Sequence, residues 1–262
     1  GHQYEPERWV LRHHAEATGQ WDGYRTRLMR NSGYVDESAY ITDALSREAV
    51  DFVARQPADQ PFLVFLAYNA PHTPLQAPER YLQQVAHIQD PDRRTYAAML
   101  LAVDQGVGLL LDHLEAQGQR ENTLVFFLTD NGGAINDNAS SNQPLRAGKG
   151  SYFEGGLRVP FTASWPGVLP AGVSYTPAVS SMDIMATVLA AAGVTPAKPL
   201  DGVDLVPFVR KQRPDVPHEW LFWRHEEGRS QVVRWGDYKW MVQKGDTLLF
   251  NLAEDVSEQR PL

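Results

Sequence analysis

Two adjacent side chains that carry oxygen, Asp130 and Asn131, follow directly after the apolar run 124–128. Such a run predicts a strand, and open α/β sheets form their ligand sites at the carboxyl ends of strands. Neighbouring strand residues point to opposite faces, so both side chains can address one target only if the chain turns at once. Gly132 and Gly133 permit that turn.

A carboxylate beside an amide carbonyl offers two hard oxygen donors. Such donors suit Ca²⁺ or Mg²⁺ better than zinc, which draws on thiolates and imidazoles. Two donors are too few to hold either ion. On these residues alone an ordinary strand-to-loop turn remains the simpler interpretation, because Asp-Asn-Gly is common turn chemistry.

Two side chains with nitrogen donors, Lys149 and His72, stand in predicted loops. Lys149 stands between two glycines and presents a compact ammonium donor. His72 lies between Pro71 and Pro74, which restrict the backbone and indicate a fixed loop. An imidazole there could donate to an anion or protonate a leaving group near neutral pH. In isolation, the same residues also fit a solvated loop lysine and a histidine in a turn.

The composition narrows the function classes. The 262 residues are 43% hydrophobic, enough for a substantial core, and carry a formal charge of −8 from 24 Lys and Arg against 32 Asp and Glu. Without a basic block, nucleic acid is not an expected partner. The absence of cysteine excludes disulfides, thiolate metal sites and a cysteine nucleophile within these residues. No uninterrupted apolar run reaches membrane-spanning length, so we expect no membrane span.

The elements that must position these side chains follow from hydrophobic periodicity. Helical spacing predicts three helices, at 42–55, 92–117 and 182–192. Apolar runs predict three strands that precede or follow them, at 62–68, 124–128 and 159–165. Because a strand, helix and strand in this order form a right-handed crossover, we expect a mostly parallel central sheet flanked by helices.

The pattern changes near the C-terminus. Short aromatic and β-branched segments predict a small antiparallel sheet, with strands at 220–223, 231–235, 239–242 and 248–251. We therefore expect an α/β domain over 1–215 and a small β subdomain over 216–262. The polar, glycine-rich stretch 134–157 is long for a connection and indicates a functional or mobile loop.

Four segments occur in an order typical of one family: FLAYNAPHTP (65–74), TDNGG (129–133), GKGSYFEGGLRVP (148–160) and LDGVDL (200–205). Together they resemble the type I sulfatases, the formylglycine-dependent, arylsulfatase-like branch of the alkaline phosphatase superfamily. The resemblance covers about residues 40–262. It implies an alkaline phosphatase-like α/β fold, incomplete in this chain, and hydrolysis of a small-molecule or carbohydrate sulfate ester.

The resemblance also assigns roles to the residues above. Asp130 and Asn131 correspond to metal ligands, usually for Ca²⁺, with Mg²⁺ as the alternative. His72 and Lys149 correspond to the residues that contact the sulfate ester. An extracytoplasmic location, periplasmic or secreted, is compatible with the family but is not required by it.

Several family elements are missing from this sequence. Members carry a Cys or Ser, in a C/S-x-P-S-R motif, that is oxidised to formylglycine, with a pair of aspartates upstream and a Lys-x-His element after it. These elements normally precede the first segment found here. We therefore expect the chain to be the C-terminal part of a longer enzyme, inactive alone, with formylglycine in the missing N-terminal segment.

Other residues are compatible with more than one interpretation. Glu154 and Arg158 could brace the Lys149 loop by an ion pair. His13 and His14 receive no role, since adjacent histidines without further ligands are ordinary surface residues. A set of early aromatic residues could line a substrate pocket or pack in a core: Trp9, Trp21, Tyr24 and Tyr34.

Two other functions remain open at this point. A similar metal and anion site could serve a phosphonate or phosphate ester hydrolase of the same superfamily. Alternatively, the residues could form a binding or structural module without catalysis, because a fold does not fix a function.

Overall fold

The computed structural model describes the chain except residues 1, 5–10, 14–24, 27, 36, 58, 225–229 and 244, and before residue 27 it describes backbone alone. The predicted pocket aromatics Trp9, Trp21 and Tyr24 lie outside the described residues, as does His14. Tyr34 is described and exposed, so it does not pack in a core.

The chain divides into two compact units. One comprises residues 1–119 and 134–141, and the other comprises residues 120–133 and 142–262. The expected boundary between residues 215 and 216 stays a prediction.

In the residues that the structure describes, the first unit combines short strands with three helices. Its strands are β1 (His2–Tyr4), β2 (Leu11–His13), β3 (Arg25–Thr26), β4 (Leu28–Arg30) and β5 (Gly33–Val35). Its helices are α1 (Ile41–Ala54), α2 (Glu79–Leu82) and α3 (Pro91–Ala116), with a 3₁₀ turn at Gln83–Val85. Antiparallel pairing joins β1, β2 and β3 into one sheet and β4 and β5 into a hairpin.

Helix α3 organises the core of this unit. The Asp90 side chain caps it by accepting a bond from the Arg93 amide at 2.7 Å, and Pro91 occupies the first turn, where its missing N–H is not needed. Helix α3 packs against α1, and a core forms from Tyr40, Tyr81, Ala98 and Ala102. The structure confirms the helices predicted at 42–55 and 92–117.

Helix α3 is also long and apolar enough to cross a membrane by length and composition alone. Core helices of globular proteins pass the same test, and the buried residues of α3 pack against neighbouring elements of its own unit. Among the described residues it is the one helix that meets the criterion.

The segment 62–68 differs from its prediction. It is not part of a strand ladder among the described residues, although its side chains alternate between half-buried and exposed as they would in a strand. Leu63 is 69% exposed and Phe65 is 91% exposed. An apolar run can indicate an extended backbone, but it does not supply the neighbouring strand that completes a ladder.

The second unit contains the remaining elements. They are a 3₁₀ turn at Arg120–Asn122, β6 (Val125–Leu128), α4 (Glu154–Leu157), β7 (Phe161–Ser164), α5 (Met182–Ala191), α6 (Val206–Val209), β8 (Trp220–Arg224), β9 (Ser230–Trp235), β10 (Tyr238–Gln243) and β11 (Asp246–Asn251). Strands β6 and β7 pair antiparallel, with Val125 opposite Ser164. This antiparallel pairing of β6 with β7 was not predicted, because pairing direction depends on the route of the intervening chain.

Strands β8–β11 form the predicted antiparallel sheet, in the order β11-β10-β9-β8. Val232, Met241 and Phe250 lie on its buried face and form a second core with Leu252. On the opposite face, the exposed rings of Trp220, Trp235 and Tyr238 stack in a row.

The segment 200–205 has a structural role. The fully buried Asp183 of α5 accepts hydrogen bonds from the backbone amides of Ser180 and Val203, at 2.7 and 2.9 Å. Its carboxylate also lies 2.8 Å from Nε2 of His218. These contacts attach the segment to α5 and to the chain that enters β8.

Candidate functional site

The turn after β6 presents Asp130 and Asn131. Oδ1 of Asp130 accepts a hydrogen bond from the Asn131 amide at 2.9 Å, which tightens the turn. Nδ2 of Asn131 donates to the carbonyl of Gly132 at 3.0 Å, so the side-chain oxygen of Asn131 is its donor for a hard cation. Asp130 is exposed and Asn131 is half-buried, which gives a cation access to both.

Lys149 belongs to the same compact unit, and its backbone is joined to this turn. The Lys149 amide donates to the carbonyl of Gly133 at 3.2 Å. The side chain of Lys149 is exposed. The structure therefore brings together three of the four predicted site residues at the level of their backbone segments.

Asn142, which the sequence analysis missed, reinforces this link. Its Oδ1 accepts from the Gly133 amide, and its Nδ2 donates to the carbonyls of Gly133 and Ala147, each at 2.9 Å. The side chain of Asn142 thus bonds both to the turn that carries Asp130 and Asn131 and to the residues that precede Lys149. Its only sequence signal was an asparagine in a polar loop.

Helix α4 packs against the turn at the same place. The Gly132 amide donates to the carbonyl of Gly156 at 3.1 Å. A Cβ at position 132 would lie 1.7 Å from the carbonyl oxygen of Gly155. Gly132 does not have a positive φ. The glycine predicted to permit the turn is therefore required by the close approach of α4, and not by a left-handed backbone conformation.

A buried ion pair supports α4. The carboxylate Oε1 of Glu154 lies 2.9 Å from Nζ of Lys239, which lies 2.8 Å from Oε1 of Glu258. The predicted partner of Glu154, Arg158, is present at the longer distance of 3.9 Å. Lys239 and Glu258 are far from Glu154 in sequence and were not predicted.

His72 belongs to the other compact unit. Its amide donates to the carbonyl of Asn69 at 2.9 Å, and its Nδ1 lies 2.7 Å from the carbonyl oxygen of Thr73. Because a carbonyl can only accept, Nδ1 carries the proton of this bond. The imidazole is exposed, and its orientation is set by the main chain next to it.

The donor set fits a hard cation in part. Asp130 and Asn131 supply a carboxylate and an amide oxygen, which are ligands of the kind that Ca²⁺ prefers. Among the described residues there is no group of three or more histidine, aspartate or glutamate side chains that could hold a metal. Asp130 and Asn131 therefore do not form a complete coordination shell for such an ion.

Comparisons with known proteins relate this chain to one family. The sulfatase family model matches residues 10–194. The chain is 33% identical over 256 residues to an uncharacterised sulfatase of Escherichia coli K12, YdeN, covering 94% of this chain and 45% of that protein. It is 35% identical over 180 residues to human N-acetylgalactosamine-6-sulfatase, covering 67% of this chain and 33% of that protein.

A solved structure shows the same fold. The structure of Ps i-CgsB in complex with k-i-k-neocarrahexaose matches with a TM-score of 0.86 and 38% identity, covering 100% of this chain and 60% of that chain. This similarity confirms the predicted alkaline phosphatase-like α/β fold class. The chain spans less than half the length of the two curated relatives named above. The family model, these relatives and the shared fold lead to one conclusion: the chain belongs to the sulfatase family.

Proposed function

We propose that the protein to which this chain belongs hydrolyses sulfate esters. The observation that carries the proposal is the backbone hydrogen bond between Lys149 and Gly133, which joins a cationic loop to a turn with two hard oxygen donors. A site for a sulfate ester needs both features, since the ester is anionic and its bond cleavage releases further negative charge. Membership of the sulfatase family supports the same reaction.

Lys149 is the proposed donor to the sulfate oxygens. Its ammonium is a compact, strongly hydrated charge that suits a tetrahedral anion. Its backbone is joined to the turn of Asp130 and Asn131 and its side chain is exposed, so the ammonium is accessible to an ester bound beside that turn. Preorganised donors of this kind contribute about 3 to 4 kcal/mol each to transition-state stabilisation.

His72 is the proposed proton donor to the leaving oxygen. Since Nδ1 is bonded to the carbonyl of Thr73, Nε2 is the nitrogen that can pass a proton to another group. Nε2 can do so only when the ring carries two protons. Full activity therefore requires the imidazolium form of His72 before the ester bond breaks.

Asp130 and Asn131 are the proposed ligands of a Ca²⁺ ion, with Mg²⁺ as the alternative. When bound, the ion would neutralise charge on the sulfate group. Ca²⁺ takes six to eight oxygen ligands, so this chain supplies a minority of them. We infer that the nucleophile, formylglycine, lies outside these residues, because the chain has no cysteine and no C/S-x-P-S-R motif.

The proposed substrate is a sulfate ester of a carbohydrate. One relative is named for N-acetylgalactosamine 6-sulfate, and the solved structure with 38% identity holds a neocarrahexaose. Release of inorganic sulfate from N-acetylgalactosamine 6-sulfate and from an aryl sulfate shows whether the protein prefers carbohydrate or aryl esters. Turnover of an aryl phosphonate above that of the matched aryl sulfate would favour the phosphonate hydrolase instead.

Replacement of Lys149 tests the reaction. In the complete protein, Lys149→Ala should lower kcat for 4-nitrophenyl sulfate by about 10²- to 10³-fold, because a preorganised donor is lost. Lys198→Ala removes an exposed lysine of the same compact unit and serves as the control. Unchanged turnover in Lys149→Ala would refute the assigned role.

Calorimetry tests the metal part. Residues 1–262 alone should bind Ca²⁺ weakly or not at all, since most ligands are missing, whereas the complete protein should bind it and lose affinity in Asp130→Asn. Tight binding by residues 1–262 alone would contradict the proposed division of ligands.

A further inference from the structure

Glu258 contacts both ends of the Lys149 loop, defined here as residues 146–154. Its backbone carbonyl accepts a hydrogen bond from Nη1 of Arg146 at 2.7 Å. Its carboxylate Oε2 accepts from the backbone amide of Glu154 at 2.5 Å. One residue near the end of the chain therefore closes the base of the loop that carries Lys149.

Lys239 connects the two carboxylates at this base. Its Nζ lies 2.9 Å from Glu154 and 2.8 Å from Glu258, and all three side chains are buried. Burial raises the pKa of Glu258 above its ordinary value, and the Lys239 ammonium opposes that rise. Among the residues that the structure describes, the guanidinium groups of Arg158 and Arg234 also approach Oε2 of Glu154, each to 3.9 Å.

Glu258 is held in an unfavourable backbone conformation. Its φ is 52°, in the left-handed region that L-residues other than Asn and Asp rarely adopt. Such strain persists where the surrounding structure fixes a residue for another purpose. A buried ion pair is also weak evidence for added stability, because its desolvation offsets its attraction. Both observations indicate that Glu154, Lys239 and Glu258 serve to position other residues rather than to add stability.

The buried side chains of Glu154, Lys239 and Glu258 are connected through α4 to the turn that carries Asp130 and Asn131. Helix α4 begins at Glu154 and places the carbonyl of Gly156 against the Gly132 amide at 3.1 Å. The Gly155 amide donates to the carbonyl of Arg146 at 2.9 Å, at the start of the loop. A displacement of Glu154 would therefore move both the turn contact and the loop.

We propose that Glu154, Lys239 and Glu258, called the clamp below, position the Lys149 ammonium relative to the turn of Asp130. Its effect on catalysis rests on the proposed sulfatase activity, while its effect on the loop does not. The clamp residues are positioning residues, because they act on the ester through Lys149. Lys239 is the central member, since it contacts both carboxylates.

A double-mutant cycle in the complete protein tests the catalytic effect. Lys239→Met should lower kcat/KM for 4-nitrophenyl sulfate by about 10- to 100-fold, as misplacement of a catalytic group does. In the Lys149→Ala background the same change should cost less than about 3-fold, because the group that it positions is already absent. An equal loss in both backgrounds would overturn the inference, because general destabilisation multiplies both activities alike. Lys198→Met is the control for loss of a lysine.

Hydrogen exchange tests the clamp without reference to activity. In Lys239→Met, the amides of residues 146–156 should exchange at least about ten-fold faster than in the wild-type protein, while those of β8, β9 and β11 keep their rates. Unchanged exchange in the loop, or equal acceleration throughout the sheet, would overturn the inference. If the wild-type protein releases sulfate from neither an aryl sulfate nor N-acetylgalactosamine 6-sulfate, the proposed function fails and this measurement alone decides the clamp.

A milder variant covers a failure of Lys239→Met to fold. Arg146→Gln removes the bond to the Glu258 carbonyl without leaving a charged clamp residue unpaired. It should accelerate exchange in the loop selectively and show the same dependence on Lys149. Equal effects in the loop and the sheet would again count against the clamp.

Discussion

The Lys149 loop and the turn that carries His72 are held by different kinds of contact. Arg146, in the loop, bonds to Glu258, 112 positions away along the chain, and Glu154 bonds to the same residue from 104 positions away. The His72 amide and Nδ1 bond to Asn69 and Thr73, close neighbours in sequence. The side chains of Lys149 and His72 are both exposed.

This difference in contacts predicts which substitutions will disturb Lys149 and which will disturb His72. The geometry of Lys149 depends on distant residues, so substitutions far along the chain should alter it. The ring of His72 is oriented by its own turn, so its replacement should affect chemistry without affecting folding.

The largest effect on stability should come from Gly132→Ala. The new Cβ would meet the Gly155 carbonyl and force α4 away from the turn, so the free energy of unfolding should fall by about 3 kcal/mol. Denaturant unfolding measures this change. Gly108→Ala is the control, because its Cβ would meet nothing within 4 Å, and it should raise stability by about 1 kcal/mol. A small loss of unfolding free energy in Gly132→Ala would show that α4 does not pack closely against the turn.

Asn142→Asp should have an intermediate effect. The carboxylate keeps the acceptor for the Gly133 amide but places an oxygen against two carbonyls that now receive a hydrogen bond. The free energy of unfolding should fall by about 2 kcal/mol, with a parallel loss of aryl sulfate turnover. The exposed Asn136→Asp should change stability by less than about 0.5 kcal/mol. Equal results for the two variants would argue against a linking role for Asn142.

His72→Ala should have the smallest effect on stability and a large effect on activity. Since the side chain is exposed, the free energy of unfolding should change by less than about 0.5 kcal/mol. Loss of a proton donor should lower kcat for an aryl sulfate by about 10²-fold or more. Paired unfolding and kinetic measurements check both values. A stability loss as large as that of Asn142→Asp would remove the contrast between the two regions.

Local periodicity was sufficient for the long helices and the C-terminal sheet. Helices α1, α3 and α5 and strands β8–β11 agree with their predictions to within a few residues. In a helix the buried side recurs every three or four residues, and in a strand every two. The local sequence therefore shows which side chains are buried. The pairing direction of β6 and β7 did not follow, because it depends on segments that lie far apart in sequence.

The site was predictable in its principal residues and not in their supports. The order of four motifs indicated Asp130, Asn131, Lys149 and His72, whose roles stay predictions. Lys239 did leave a signal, since it occupies an inward position of β10 beside Met241, and a lysine on a buried face requires a carboxylate partner. The sequence could not identify that partner, because Glu154 lies 85 positions away.

The exposed apolar segment 62–68 has a consequence for handling the chain. Its seven residues contain no charge, proline or glycine, and they are rich in aromatic and branched side chains. Extended segments of this composition recruit other chains edge to edge and begin aggregates. Preparations of these 262 residues should therefore self-associate increasingly with concentration, and a charged substitution at Phe65 should improve solubility.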